Sequence, residues 1–280
     1  MTNREFGVFI LSHGRASNIK TLRALKNANY TGKTYIIVDD TDKQIEEYKS
    51  THDNVIVFDK KKAYEETDTM DNSGDMRVVV FARNKCHEIA KDLGLTHFLV
   101  LDDDYVRFSY RRDFDGLLRT WKVRNLDEVI EYTLDYLDES NATSLAWSQG
   151  GDLIGGVNGM ISKPYKRKVM NTFFCRTDRP FYFKGTINED TTTYTLLGSQ
   201  GHLFLTITDI TVNQTDTQTN AGGLTDIYLD LGTYVKSFYT VIAMPSSAAI
   251  RLMGNKHKRP HHSINWKKTT PKIIKERYKK

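Results

Sequence analysis

An α/β chain built on a mostly parallel sheet is the arrangement that the residue pattern implies. Through the first hundred residues, short apolar runs alternate with segments of helical spacing, the layout of successive βαβ units. Three of those runs end in aspartates. In an open parallel sheet, the carboxyl ends of the strands form the edge where ligands bind. With 280 residues, 39% of them hydrophobic, the chain can bury a substantial core as one domain with decorations.

The first strand is read at Gly7-Val8-Phe9-Ile10-Leu11; Ser12-His13-Gly14-Arg15 breaks it, and a helix is expected over residues 17–27. The second strand, Thr34-Tyr35-Ile36-Ile37-Val38, runs into Asp39-Asp40, and the third, Asn54-Val55-Ile56-Val57-Phe58, into Asp59. Residues 60–75 are polar and include Asp71-Asn72-Ser73-Gly74, so a loop is expected there. Val79, Ala82, Cys86, Ile89 and Leu93 keep the spacing of one helix face over residues 76–93, with Gly94 placed to end the helix. The next apolar run, Phe98-Leu99-Val100-Leu101, delivers Asp102, Asp103 and Asp104. Asn125 can cap a helix with Glu128 three residues on, whose stripe is Leu126, Val129, Ile130, Leu134 and Leu137. Beyond it, Gly155-Gly156-Val157-Asn158-Gly159, Phe173-Phe174 and Phe181-Tyr182-Phe183 point to irregular strands and loops. A last short helix is expected from Thr270-Pro271.

The net charge of +5 is unevenly spread: residues 251–280 hold eleven Lys or Arg and one acid, Glu276, leaving 29 bases and 34 acids for the rest. A basic block of this kind attracts a polyanion. No apolar run approaches a membrane span, and Met1-Thr2-Asn3-Arg4-Glu5 lacks the layout of a signal peptide. A cytoplasmic protein without a membrane partner is expected. The two cysteines, Cys86 and Cys175, fit a reducing compartment and read as buried small residues.

Packing Asp102, Asp103 and Asp104 after a buried strand is electrostatically costly without a cation, and alternate aspartates suit Mg²⁺ or Mn²⁺ that also binds substrate phosphates. Arg15, and Arg83 with Asn84, can donate charge-assisted hydrogen bonds to a diphosphate or a nucleobase. After an aromatic run, Asn188-Glu189-Asp190 offers adjacent carboxylates, one able to act as general base. His257, His261 and His262 crowd a basic segment; imidazole can complete a metal shell, although this spacing is no zinc signature. Lys163, Lys166, Arg167, Lys168, Arg176 and Arg179 form a second basic patch interleaved with Tyr165, Phe173 and Phe174, where a base could stack.

Taken together, Ser12-His13-Gly14-Arg15, Val38-Asp39-Asp40, Ala82-Arg83-Asn84, Leu101-Asp102-Asp103-Asp104 and Asn188-Glu189-Asp190 resemble a GT-A glycosyltransferase over roughly the first 200 residues. More narrowly, the chain is similar to the phage glycosyltransferases of the TET/JBP-associated group, which glycosylate hydroxymethylated pyrimidines in DNA. The resemblance implies one GT-A, Rossmann-like domain over residues 1–265, with a nucleotide-sugar half (1–104), an acceptor half (105–265) and a basic tail (266–280). It implies a UDP-sugar held by Ser12, His13, Gly14, Arg15, Asp39, Arg83, Asn84, Asp102 and Asp103. The cation, Mn²⁺ or Mg²⁺, would sit on Asp102, Asp104 and His262, and Asp190 or else Glu189 would be the base of an inverting transfer. The acceptor would be 5-hydroxymethylcytosine, or its uracil counterpart, in phage DNA within the host cytoplasm. Lys258, Arg259, Lys267 and Lys268 would join the second basic patch in binding that DNA. A glycosyltransferase acting on another acceptor and a non-catalytic nucleic-acid-binding module share parts of this pattern.

Overall fold

The computed structural model describes residues 4–153, 155–158, 168–214, 224–254, 258–269 and 276. The chain begins with β1 (Phe6–Leu11), α1 (Lys20–Asn27), β2 (Thr34–Asp39), α2 (Ile45–Thr51), β3 (Val55–Phe58), α3 (Lys60–Glu66), α4 (Val80–Asp92) and β4 (His97–Asp102). β1 pairs in parallel with β2 and β4, and β2 with β3. Both faces of these strands are covered, which is why they read as continuous apolar runs. Val8, Ile10, Leu99 and Leu101 enter the core on one face, with Leu25 of α1. Phe9, Leu11, Phe98 and Val100 enter the core on the other, with Phe81 and Ile89 of α4.

The chain continues with β5 (Tyr105–Phe114), β6 (Leu117–Lys122), α5 (Leu126–Ser140), β7 (Ser144–Gln149), β8 (Thr172–Arg176), α6 (Glu189–Ser199) and β9 (Phe204–Gln214). Next come α7 (Leu224–Ala243), broken at Gly232, then β10 (Ala248–Met253), β11 (Arg259–Ile264) and α8 (Trp266–Thr269). Among the described residues, nine strands form one sheet in the order β3-β2-β1-β4-β8-β7-β9-β5-β6, and β10-β11 is a separate ribbon. Only β8 and β5 run against the other seven strands of the sheet. Because β4 bonds directly to β8, one sheet unites the two halves of the chain.

Four expectations need correction. Residues 60–66 are the helix α3, not loop: Asp59 accepts the Lys62 backbone N–H at its start, and Ala63 is buried. α1 starts at Lys20, where Thr21 is anchored to the end of β4 and the start of β5, its hydroxyl donating to the Asp102 carbonyl at 2.6 Å and accepting from Tyr105 N at 3.0 Å. Asn125 precedes α5 as expected, but its amide donates to the Glu128 carboxylate and its side chain does not cap the backbone. The second half is more regular than its composition suggested, and its β5–β6 hairpin carries a plain signal in Asp115-Gly116, both with positive φ (53° and 75°), as a two-residue hairpin turn requires. The short helix observed near the end is α8, whose Trp266 stacks on Tyr194 at 5.7 Å. The start of the expected tail is therefore packed on α6, and Thr270-Pro271 lie outside the described residues.

Candidate active site

The carboxyl ends of β1, β2 and β4 lie side by side, and each strand hands over to a short polar segment. After β1, the loop from Ser12 to Arg15 is held from several sides. Ser12 Oγ donates to Asp103 at 2.7 Å, Gly14 N to Asp42 at 2.7 Å, and Arg15 N to the Tyr48 hydroxyl at 2.9 Å. Gly14 has φ 66°, a conformation that costs a residue with a side chain. After β2, Asp39 meets His13 Nδ1 at 2.7 Å and Lys60 Nζ at 3.3 Å, with Thr41 hydrogen-bonded to it as well. Burial works to raise the Asp39 carboxyl, but His13, Thr41 and Lys60 outweigh it and hold it well below the ordinary range. His13 is raised in turn by its hydrogen bond to Asp39.

After β4, Asp102 and Asp103 take different partners. Asp103 turns back to Ser12 and to Arg15, whose guanidinium donates to it at 2.6 Å. Asp102 lies 3.3 Å from the Arg83 guanidinium and keeps 28% of its side chain exposed. Burial, with Asp104 and Asp103 adding to it against the pull of Arg83, pushes the Asp102 carboxyl up to about 6. That is the expected state of clustered carboxylates whose charge is incompletely compensated.

Arg83, on α4 and only 3% exposed, is the centre of the site. It ion-pairs with Glu189 at the start of α6 as well as with Asp102, and it stacks on Phe173 at 4.9 Å from the ring centroid. Burial and then Asp190 and Asp102 push Glu189 up, against Arg83. Neighbouring Asn84 accepts from Phe183 N at 2.7 Å and donates to Phe183 O at 3.1 Å, clamping the segment that leads to α6. Asp190 is buried beside Glu189 and, among the described residues, has no ion pair. On β11, His262 is also close enough to Asp190 to feel its charge, though burial first and His261 next lower the imidazole to about 4. Its Nδ1 is buried without a hydrogen-bond partner.

The expected residues thus gather into two linked groups: His13 with Asp39, and Ser12, Arg15 and Asp103 beside Asp102, Arg83, Glu189 and Asp190. No three His, Cys, Asp or Glu side chains converge as a metal-binding group among the described residues, so His262 does not join Asp102 and Asp104 in one shell. Of the second basic patch, Arg176 and Arg179 do not reach this edge. Arg176 pairs in register with His97, at the far end of β4 from Asp102, and its guanidinium is bound to Asp138 and Asp178. Arg179 donates to the carbonyls of Leu137 and Ala142, and Lys168 ion-pairs with buried Asp152. Lys163, Lys166 and Arg167 lie outside the described residues, while Lys258, Arg259, Lys267 and Lys268 are exposed. Cys86 and Cys175 are buried and free. Sequence reading missed Asp42, Tyr48 and Lys60; Asp42 and Lys60 flank the strand ends already singled out, whereas Tyr48 reaches the site from α2 with no local signal.

Strand-end acids thus face a helix-borne acid pair across one arginine at the carboxyl edge of an α/β sheet, the edge where open sheets of this kind bind ligands. Residues 6–223 match the TET-associated glycosyltransferase family, and the chain belongs to that family. The expectation of a glycosyltransferase of this group is borne out by that match. Three solved structures are similar. Glucosyl-3-phosphoglycerate synthase from Mycobacterium tuberculosis, in complex with Mg²⁺ and uridine diphosphate, is 8% identical, with 94% of this chain and 88% of that chain covered and a TM-score of 0.49. The mannosyltransferase PcManGT from Pyrobaculum calidifontis, in complex with GDP-Man and Mn²⁺, is 13% identical over 78% and 59%, with a TM-score of 0.48. S. aureus TarS 1–349 is 17% identical over 74% and 60%, with a TM-score of 0.39. All three scores fall below 0.5, so the assignment rests on the family match. No curated protein matches the chain.

Proposed function

We propose that this glycosyltransferase moves a sugar from a UDP-sugar to the hydroxymethyl group of a 5-hydroxymethylpyrimidine in DNA, inverting the anomeric carbon. The observation that carries the reading is buried Arg83, which binds Asp102 and Glu189 through one guanidinium and so joins the strand-end and helix-start acids in one site. His13, Arg15 and the Asp39 carboxylate, held ionised by its neighbours, offer the hydrogen-bonding groups that a nucleoside diphosphate needs.

The donor set fits a hard divalent cation such as Mn²⁺ or Mg²⁺: Asp102 and Asp104 would supply oxygens, since such ions are commonly held by one or two carboxylates together with substrate phosphates. When bound, the cation supplies charge neutralisation for the departing diphosphate. The chain's own residues do the rest. Glu189 is tied to Arg83, so Asp190 is the acid left to accept the hydroxymethyl proton as that oxygen bonds to the anomeric carbon. The bond from that carbon to the diphosphate breaks on the opposite face, and its electron pair leaves with the UDP. A base must leave the helical stack to present its hydroxymethyl group in this way. The family and the basic C-terminal residues support DNA as the polymer that carries the acceptor. No helix among the described residues is long and apolar enough to cross a membrane.

The test is mass spectrometry of nucleosides after incubation with Mn²⁺, a panel of UDP-sugars and DNA containing either hydroxymethylated base. A hexose or pentose increment on one nucleoside is expected. Release of UDP with no increment on any nucleoside would reject DNA as the acceptor.

A further inference from the structure

We propose that the β5–β6 hairpin is a nucleic-acid-binding arm, in which Arg112 and Arg119 straddle a phosphodiester backbone while Phe114 and Trp121 pack against nucleotides. The inference rests on the DNA-acceptor reading for the identity of the polyanion, and on the hairpin alone for its place. The ladder pairs Tyr110 with Trp121, Arg112 with Arg119, and Phe114 with Leu117. Strand alternation puts these six side chains on one face. Phe114 is 58% and Trp121 47% exposed.

Two arginines directly opposite one another repel across the strands. Among the described residues, no carboxylate relieves them. Asp113 pairs with Leu118 on the other face, where its carboxylate accepts from Gly116 N at 2.8 Å. Arg112 lies over the Tyr110 ring at 5.5 Å. Among the described residues, Arg107, Arg111, Arg112, Arg119, Lys122 and Arg124 make no ion pair with a carboxylate. Among the described residues β6 ends the sheet, and edge charges alone can deter strand pairing. A deterrent, however, has no need of an open tryptophan and phenylalanine beside it. Repelling arginines interleaved with exposed aromatics match a strand of phosphates and bases.

The arm also springs from the site, since β5 begins at Tyr105, directly after Asp104. From Tyr105 to Arg112 the strand covers about 23 Å, or about seven base steps of a duplex. DNA gripped at the arm therefore comes within reach of the acids.

The experiment is fluorescence anisotropy of the full chain with a labelled, unmodified DNA duplex over a series of salt concentrations. Arg112→Glu with Arg119→Glu is compared with Lys49→Glu and Lys61→Glu, an equal charge change at the β3 side of the molecule. The arm variant is expected to bind at least about tenfold more weakly, with a log–log salt slope shallower by about 2. Arg112→Lys with Arg119→Lys should keep most of the affinity. The single Arg112→Glu exchange turns the repelling pair into an attracting one, so its Tm should hold or rise by about 1–2 °C while DNA affinity falls. Equal weakening in the arm and control variants, or no binding by the unaltered chain, would overturn the proposal. Because the duplex is unmodified, the two readings separate. Sugar transfer to hydroxymethylated DNA with unchanged binding by the arm variant overturns the arm alone, and loss of binding without any transfer supports the arm and rejects the acceptor.

Discussion

Arg83 and Arg112 both lie over an aromatic ring, at 4.9 Å and 5.5 Å, yet their surroundings are opposite. Arg83 is buried between two carboxylates from distant parts of the chain, Asp102 and Glu189. Arg112 is exposed and faces another arginine across the ladder. A charge compensated inside the protein organises the protein, whereas one left uncompensated at the surface requires a counter-charge from elsewhere. Arg176 makes the same point from the other side. It sits in an expected DNA-binding patch, but Asp138 and Asp178 already answer its charge.

The largest expected effect falls on the acid that Arg83 does not compensate. Asp190→Asn should lower kcat by about 10²–10⁴ while calorimetry gives an unchanged UDP-sugar Kd; near-normal turnover would move the base elsewhere. Removing the compensation comes next. Arg83→Met leaves buried Glu189 facing half-buried Asp102 with no cation between them and should cost about 3–5 kcal/mol in denaturant unfolding; a loss below about 1 kcal/mol would mean that the guanidinium organises little.

His87 adds a third case, a buried group with no partner for its Nδ1, enclosed by Phe98, Phe181 and Tyr182. Burial lowers this imidazole to about 4, against about 6.5 in the unfolded chain. On acidification the unfolded chain therefore takes up the proton first. The His87 contribution is fully present above about pH 6.5, falls as pH drops toward about 4, and amounts to at most about 3 kcal/mol. His87→Met should flatten the stability profile in that window; an unchanged slope in urea titrations would contradict it. The smallest effect belongs to the arm, where Arg112→Glu should leave Tm unchanged or raise it by only about a degree or two, as described above.

The first hundred residues were legible because parallel strands covered on both faces declare themselves as apolar runs. Strand ends also follow directly from strand positions, so Asp39, Asp102 and Asp103 could be named as site residues before their neighbours were known. What sequence reading could not supply was order within the sheet. Arg176 and Phe173 are three residues apart on β8, but because β8 runs against β4, Phe173 lies toward the acids and Arg176 at the opposite edge. Burial was equally hidden: nothing local marks Arg83 as interior, or Tyr48 as the support of the Ser12–Arg15 loop. The β5–β6 hairpin is a different kind of miss, since Asp115-Gly116 between alternating residues announced it.

The clamp of Asn84 on Phe183 sets the spacing between the acids of β4 and those of α6 with a neutral amide and two backbone atoms. Such a gauge carries no net charge, so neither ionic strength nor pH loosens it directly. Under the proposed docking of a nucleic acid, high salt should consequently detach it without disturbing the alignment of the proposed reacting groups. Any loss of turnover on a polymeric acceptor in salt then reports on docking, and a small soluble acceptor would be spared.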